Sequence, residues 1–190
     1  MARVDIDRFF EWHSPQALLA GAESLGAKLG HMAMRRPGTA YREAFVASRF
    51  AKHRGSELVR LLPPRKRPTP DFALKLAGEE LWYETTEVDR PGRKRGLEYA
   101  DESSGNLVEQ IPDEHWVEPD AYQAVIHERC VQKASKRYDK CDGLIIWSNA
   151  FPIGNEDQLN TEWWIHAIRA AQGSFPEVWR HFRGEFSRIS

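Results

Sequence analysis

The sequence predicts an α/β fold of the α+β kind, a mixed sheet flanked by helices. Three observations predict it. Apolar residues recur at helical spacing over Tyr41 to His53 and over Asp120 to Tyr138. Between these helices lie three segments rich in strand-forming residues, bounded by Pro and Gly. After the second helix, "DGLIIWSN" is a short apolar run between turn residues, which reads as a buried strand. The order is therefore helix, strand, strand, strand, helix, strand, with further helices at both ends.

Each element has its own signal. Residues 1–38 read as a helical N-terminal extension. Ser14-Pro15 supplies an N-cap and a first-turn proline, while Gly21, Gly26 and Gly30 weaken the segment as one long helix. Pro37-Gly38 punctuates, and residues 39–150 form the expected core. In "YREAFVASRFAKH", Phe45, Arg49 and Phe50 fall at helical spacing and Gly55 ends the run. Ser56 to Leu62 reads as a strand closed by Pro63-Pro64, followed by a basic loop, Arg65-Lys66-Arg67. Asp71 to Leu76 and Glu80 to Val88 read as a hairpin. Arg90 to Pro119 is polar and rich in Gly, Pro and acids, so it reads as an irregular excursion. On the helix from Asp120, Tyr122, Ile126, Cys130 and Ala134 are each four apart. Residues 151–190 are expected to form a C-terminal helical segment, with an amphipathic helix over Thr161 to Ala171 followed by "FPEVWRHF".

Length and composition bound the function classes. A chain of 190 residues suits one domain, 1–190, with a real core. Hydrophobic content of 41% and charged content of 29% are ordinary for a soluble protein, and the net charge of −1 names no partner. Two cysteines make no disulfide framework, so a reducing, cytoplasmic setting is expected. No signal peptide or membrane-spanning run is visible. Arg65-Lys66-Arg67 on one side and Arg93-Lys94-Arg95 on the other bracket the hairpin with positive charge.

The hairpin brings two acids into register. A turn at Ala77-Gly78 with two or four loop residues sets Leu74 opposite Leu81 and Phe72 opposite Tyr83, on one apolar face. On the other face Lys75 opposes Glu80, and Asp71 opposes Glu84. A three-residue loop would break this register. Ala-Gly is a poor two-residue turn, which favours the four-residue closure. Two opposed carboxylates repel unless a cation lies between them. Oxygen ligands without Cys or His suit a hard ion, Mg²⁺ or Mn²⁺. The bland alternative has Asp71 in solvent at a strand end and Glu84 paired with a loop arginine.

Pro70-Asp71, then twelve residues, then Glu84-Thr85-Thr86 resembles the motif of the PD-(D/E)XK nuclease superfamily, the restriction-endonuclease-like fold. The element order over Tyr41 to Asn149 is similar to that family's αβββαβ core. The resemblance implies a metal-dependent nuclease acting on DNA, with Asp71 and Glu84 as metal ligands. It also implies a ligand from the Thr85 carbonyl and a metal or water contact from Glu43, whose alternative is a solvated helix-surface glutamate. The motif's lysine is Thr86 here, and threonine supplies no positive charge for the transition state.

A replacement cation is available on the second core helix. Lys133 falls on the arc of Ile126, Arg129 and Cys130, and Lys136 lies at its edge. The alternative is a snorkelling stem. Other signals are weaker: His127 and Cys130, three apart with Cys141 later, favour packing over zinc, and the seven tryptophans favour core filling over base stacking. The basic residues 65–67 and 93–95 are solvated surface or phosphate contacts. Nucleic acid, no membrane and a possible homodimer are the partner expectations. The rival reading is a nuclease-like domain that binds nucleic acid or a protein without cleaving. A third is an unrelated α/β domain whose hairpin register is accidental.

Overall fold

The computed structural model describes residues 6–30, 39–89, 116–148, 151–152, 161–182 and 184–190. They form a mixed α/β structure whose main sheet has six strands, flanked by helices. Contacts group the chain into two compact units, residues 1–83 with 94–107, and residues 84–93 with 108–190.

In the first unit a 3-10 turn (Asp7–Phe10) leads to α1 (Pro15–Leu29), α2 (Thr39–His53), β1 (Leu58–Leu61) and β2 (Phe72–Leu76). The strand β3 (Glu79–Val88) begins here and continues into the second unit. Ser14 caps α1 as expected, its side chain accepting from the Ala17 N–H at 3.2 Å. The helix runs unbroken through its glycines. Gly26 earns its place by proximity, since a Cβ there would meet the Tyr41 ring of α2 at 2.7 Å. One face of β1 and β2 packs on α2. Phe50 makes edge contacts with Tyr83 at 4.9 Å and Phe72 at 6.1 Å, and Phe72 stacks on Tyr83. Burying an aromatic side chain of this kind contributes about 1.5–3 kcal/mol.

The hairpin has the expected register. Phe72 pairs with Tyr83, Leu74 with Leu81 and Lys75 with Glu80. The loop is shorter than the four residues preferred from sequence. Leu76 pairs directly with Glu79, leaving a two-residue turn with Ala77 at φ 51° and Gly78 at φ 84°. Positive φ at both positions gives the turn the twist of its strands. The ladder pair gained at Leu76–Glu79 offsets the cost of alanine in the left-handed region.

The second unit contains the end of β3, β4 (Trp116–Val117), α3 (Pro119–Ala134), β5 (Gly143–Ser148), β6 (Phe151–Pro152), α4 (Thr161–Ala167), β7 (Glu177–Phe182) and β8 (Glu185–Arg188). Three expectations are corrected. The excursion over Arg90 to Pro119 ends in β4, which pairs with β6, and its residues 90–115 lie outside the described residues. The helix expected to reach Tyr138 stops at Ala134, so Lys136 follows it in a turn. The expected C-terminal helical segment is helical only to Ala167, and "FPEVWRHF" supplies a strand. Val178, Trp179 and His181 of β7 are buried, β5 and β7 run parallel, and β8 adds an antiparallel edge. Trp and Val favour a pleated surface over a helix. The sheet order is β1-β2-β3-β5-β7-β8. In the core of this unit Val88, Tyr122, Ile126, Cys130, Leu144 and Ile146 pack together.

The turn yields a test. Ala77→Asn, which accepts positive φ readily, is expected to relieve about 1 kcal/mol of strain. It should raise the melting temperature by about 2–4 °C in a chain of this length, measured by circular dichroism. An unchanged or lower melting temperature would show that Ala77 carries no strain.

Candidate active site

Glu84 is the most deeply buried acid among the described residues, 1% exposed. Residues 84, 86 and 88 alternate onto one face of β3, and Val88 joins the core with Tyr122, Ile126 and Cys130 of α3. That stripe of α3 continues to Lys133 one turn further on. Its ammonium donates to Glu84 Oε1, and the Lys136 ammonium reaches the same oxygen at 3.3 Å. The Lys133 side chain is 19% exposed and that of Lys136 45%. Lys136 is brought in because the chain leaves the helix there, with its N–H donating to the Lys133 carbonyl at 3.1 Å. Both lysines singled out in the sequence therefore converge on Glu84, one from the last helical turn and one from the turn after it.

This pairing makes the burial of Glu84 tolerable. An isolated buried carboxylate is strongly unfavourable, whereas a paired one with further hydrogen bonds survives. The cluster of one acid and two ammonium groups has a surplus positive charge. Glu84 Oε2 is buried with no hydrogen-bond partner among the described residues. An orphaned carboxylate oxygen is the kind of atom that a hard cation takes, so Glu84 fits a metal ligand by that oxygen. Among the described residues, however, no three or more His, Cys, Asp or Glu side chains gather as a metal site.

The other expected site residues are placed as follows. Asp71 is half-buried just before β2, its N–H donating to the Tyr83 carbonyl at 3.0 Å. Register is thus held up to the step that would set Asp71 against Glu84. That step falls on the boundary between the two units. Glu43 is half-buried on α2 in the first unit, and Thr85 is half-buried on β3. Thr86 is buried, 5% exposed, on the Glu84 face. Arg65, Lys66 and Arg67 are exposed, and Arg93, Lys94 and Arg95 lie outside the described residues.

Nearby groups are poor acid–base candidates. Burial pushes the thiols of Cys130 and Cys141 up to about 12, so both stay protonated near neutrality. The Tyr122 hydroxyl, which donates to Ser148 Oγ, is likewise raised to about 12 by burial. His127 is exposed while Cys130 is buried, in line with a packing role for that cysteine. The tryptophan pair Trp163-Trp164 packs against Tyr122, as core filling requires.

Sequence reading missed one constellation in the first unit. Lys75 and Glu80 are opposite each other as expected, but both have further partners. Glu80 Oε1 accepts from Arg60 at 3.0 Å and from the Trp82 indole at 2.8 Å. The Lys75 ammonium and the Arg60 guanidinium lie 4.8 and 4.4 Å from the ring centre of Trp12. The sequence set Lys75 opposite Glu80, and β3 brings Trp82 to the same face, yet nothing local signals Trp12, which comes from a distant segment.

The chain matches no protein-family model, no curated protein and no solved structure.

The lysine pair predicts non-additive energetics. Lys133→Met or Lys136→Met alone leaves Glu84 one counter-charge, and each is expected to cost about 1 kcal/mol or less. The double substitution strands a buried carboxylate and should cost about 3 kcal/mol or more. Urea denaturation of the four proteins in the cycle measures this. Simple additivity would mean that the two ammonium groups do not share Glu84.

Proposed function

We propose that the protein is a metal-dependent nuclease that hydrolyses phosphodiester bonds in DNA. The observation that supports this most is the convergence of Lys133 and Lys136 on the buried carboxylate of Glu84. A phosphodiester resists attack because its own charge repels the nucleophile. Hydrolysis needs that charge neutralised, a water positioned and the leaving oxygen stabilised. In this reading Lys133 supplies the fixed positive charge that Thr86 cannot. Glu84 orients the ammonium through Oε1 and offers Oε2 as a metal ligand. Asp71, the Thr85 carbonyl and Glu43 complete the proposed ligand set. Mg²⁺ or Mn²⁺ held there would supply Lewis-acid stabilisation of the phosphate and a more acidic bound water. Exposed Arg65, Lys66 and Arg67 would contact the phosphate backbone.

A second reading has its own support. Thr86 stands where the motif has lysine, and both ammonium groups are already engaged by Glu84. A nuclease-like domain that binds nucleic acid or a protein without cleaving it would carry this combination.

Plasmid and oligonucleotide cleavage with Mg²⁺ or Mn²⁺ separates the two. Cleavage by the wild type, lost in Asp71→Ala, is expected. Lys133→Met should stay folded and keep a metal-induced rise in melting temperature, since a ligand of the folded state stabilises it. Its cleavage should fall by ~10²-fold or more, as when one electrostatic stabiliser is removed. Glu84→Gln should lose both the rise and the cleavage. Salt-dependent DNA binding without cleavage under any divalent ion would establish the binding reading instead.

A further inference from the structure

Charge is divided unevenly along the chain. Residues 1–83 carry 14 Lys and Arg against 9 Asp and Glu, whereas residues 84–190 carry 13 against 19. The balanced whole conceals a first part with net charge +5 and a remainder with −6. Polyanion binding is therefore to be sought within residues 1–83.

One sheet face of that stretch has the matching chemistry. Arg60, Ala73 and Trp82 form one row across β1, β2 and β3, and Leu58, Lys75 and Glu80 form the next. The opposite face holds Val59, Leu74 and Tyr83 and is buried. On the first face Trp12, Arg60, Lys75, Glu80 and Trp82 all remain half-exposed. Small, buried Ala73 lies between Arg60 and Trp82 in their row. Trp12 is held beside β1 by the bridge of its neighbour His13 to Val59, with hydrogen bonds of 3.0 and 2.8 Å. Glu80 fixes the Arg60 guanidinium and the Trp82 indole by a single oxygen. Two indoles and two cations are thus pre-oriented on a rigid sheet, with Arg65-Lys66-Arg67 exposed on the loop that joins β1 to β2.

We infer that this face, built from Trp12, Arg60, Lys75 and Trp82, binds single-stranded nucleic acid. Indole and guanidinium planes stack on unpaired bases whatever their sequence, and lysine and arginine neutralise the adjoining phosphates. Paired bases keep their faces within the duplex stack, so the ligand must present unpaired nucleotides. The site does not include Glu84 and does not depend on cleavage.

Binding of fluorescein-labelled oligo(dT) and oligo(U), about 15 nucleotides long, is measured by anisotropy in EDTA, with duplex as competitor. The wild type is expected to bind single strands more tightly than duplex, with quenching of tryptophan emission. Tighter binding of either oligonucleotide upholds the inference and identifies the strand as DNA or RNA. Trp82→Ala should weaken binding tenfold or more. Lys75→Met, a change at a half-exposed side chain, should reduce the slope of log affinity against log salt by about 0.7. Binding in EDTA needs no divalent ion, which keeps this result independent of the hydrolysis reading. No binding in EDTA, a preference for duplex, or full affinity in both folded variants would overturn the inference. If Trp82→Ala does not fold, Lys75→Met decides alone: an unchanged affinity and salt slope would make the cluster a structural staple for Trp12.

Discussion

A carboxylate with almost no exposure to water is the constraint that organises the second unit. Glu84 occupies a strand position whose same-face neighbours are Thr86 and the core residue Val88. A hydrophobic residue there would extend the core at little cost. A glutamate instead demands counter-charge from whatever packs on that face, and α3 meets the demand with lysine at the end of its own apolar stripe. The amphipathic pattern of the helix, its length and the position of its last turn are thereby tied to one acid on β3.

Two ammonium groups on one oxygen are more than neutrality requires. A surplus of ammonium suits an anion, and an unpartnered carboxylate oxygen such as Oε2 suits a cation. The two lysines also differ in freedom. Lys133 is held in the last helical turn, whereas Lys136 is on a following turn and more than twice as exposed. If either leaves Glu84 to meet a substrate phosphate, Lys136 can do so without abandoning the acid.

Most of the fold was legible because its signals are local. Alternation fixed which face each hairpin residue takes, and the register followed from any even-length loop. The length of the loop did not follow, because a turn rule based on preference ignores the ladder pair that a tighter turn gains. The lysines were visible as charges inside an apolar arc. The space beside Glu84 was the expected target of one of them; that both reach it depends on where the helix ends. The pairing of Lys75 with Glu80 was legible, but Trp12 meets Lys75 only after the chain has folded back. The strands after Ala167 were hidden because "EVWRHF" has only six residues, too few to separate a strand from a short helix by periodicity.

The sheet order has a consequence for assembly. β5 lies between β3 and β7, so residues from beyond α4 must arrive before its second edge is paired. Until then Leu144-Ile145-Ile146-Trp147 presents a row of unsatisfied backbone groups on one of the most apolar segments of the chain. During synthesis, the interval between emergence of β5 and emergence of β7 is when this polypeptide is most exposed to adhesion with its neighbours. A chaperone that covers about six residues of extended apolar chain would do most for it in that interval.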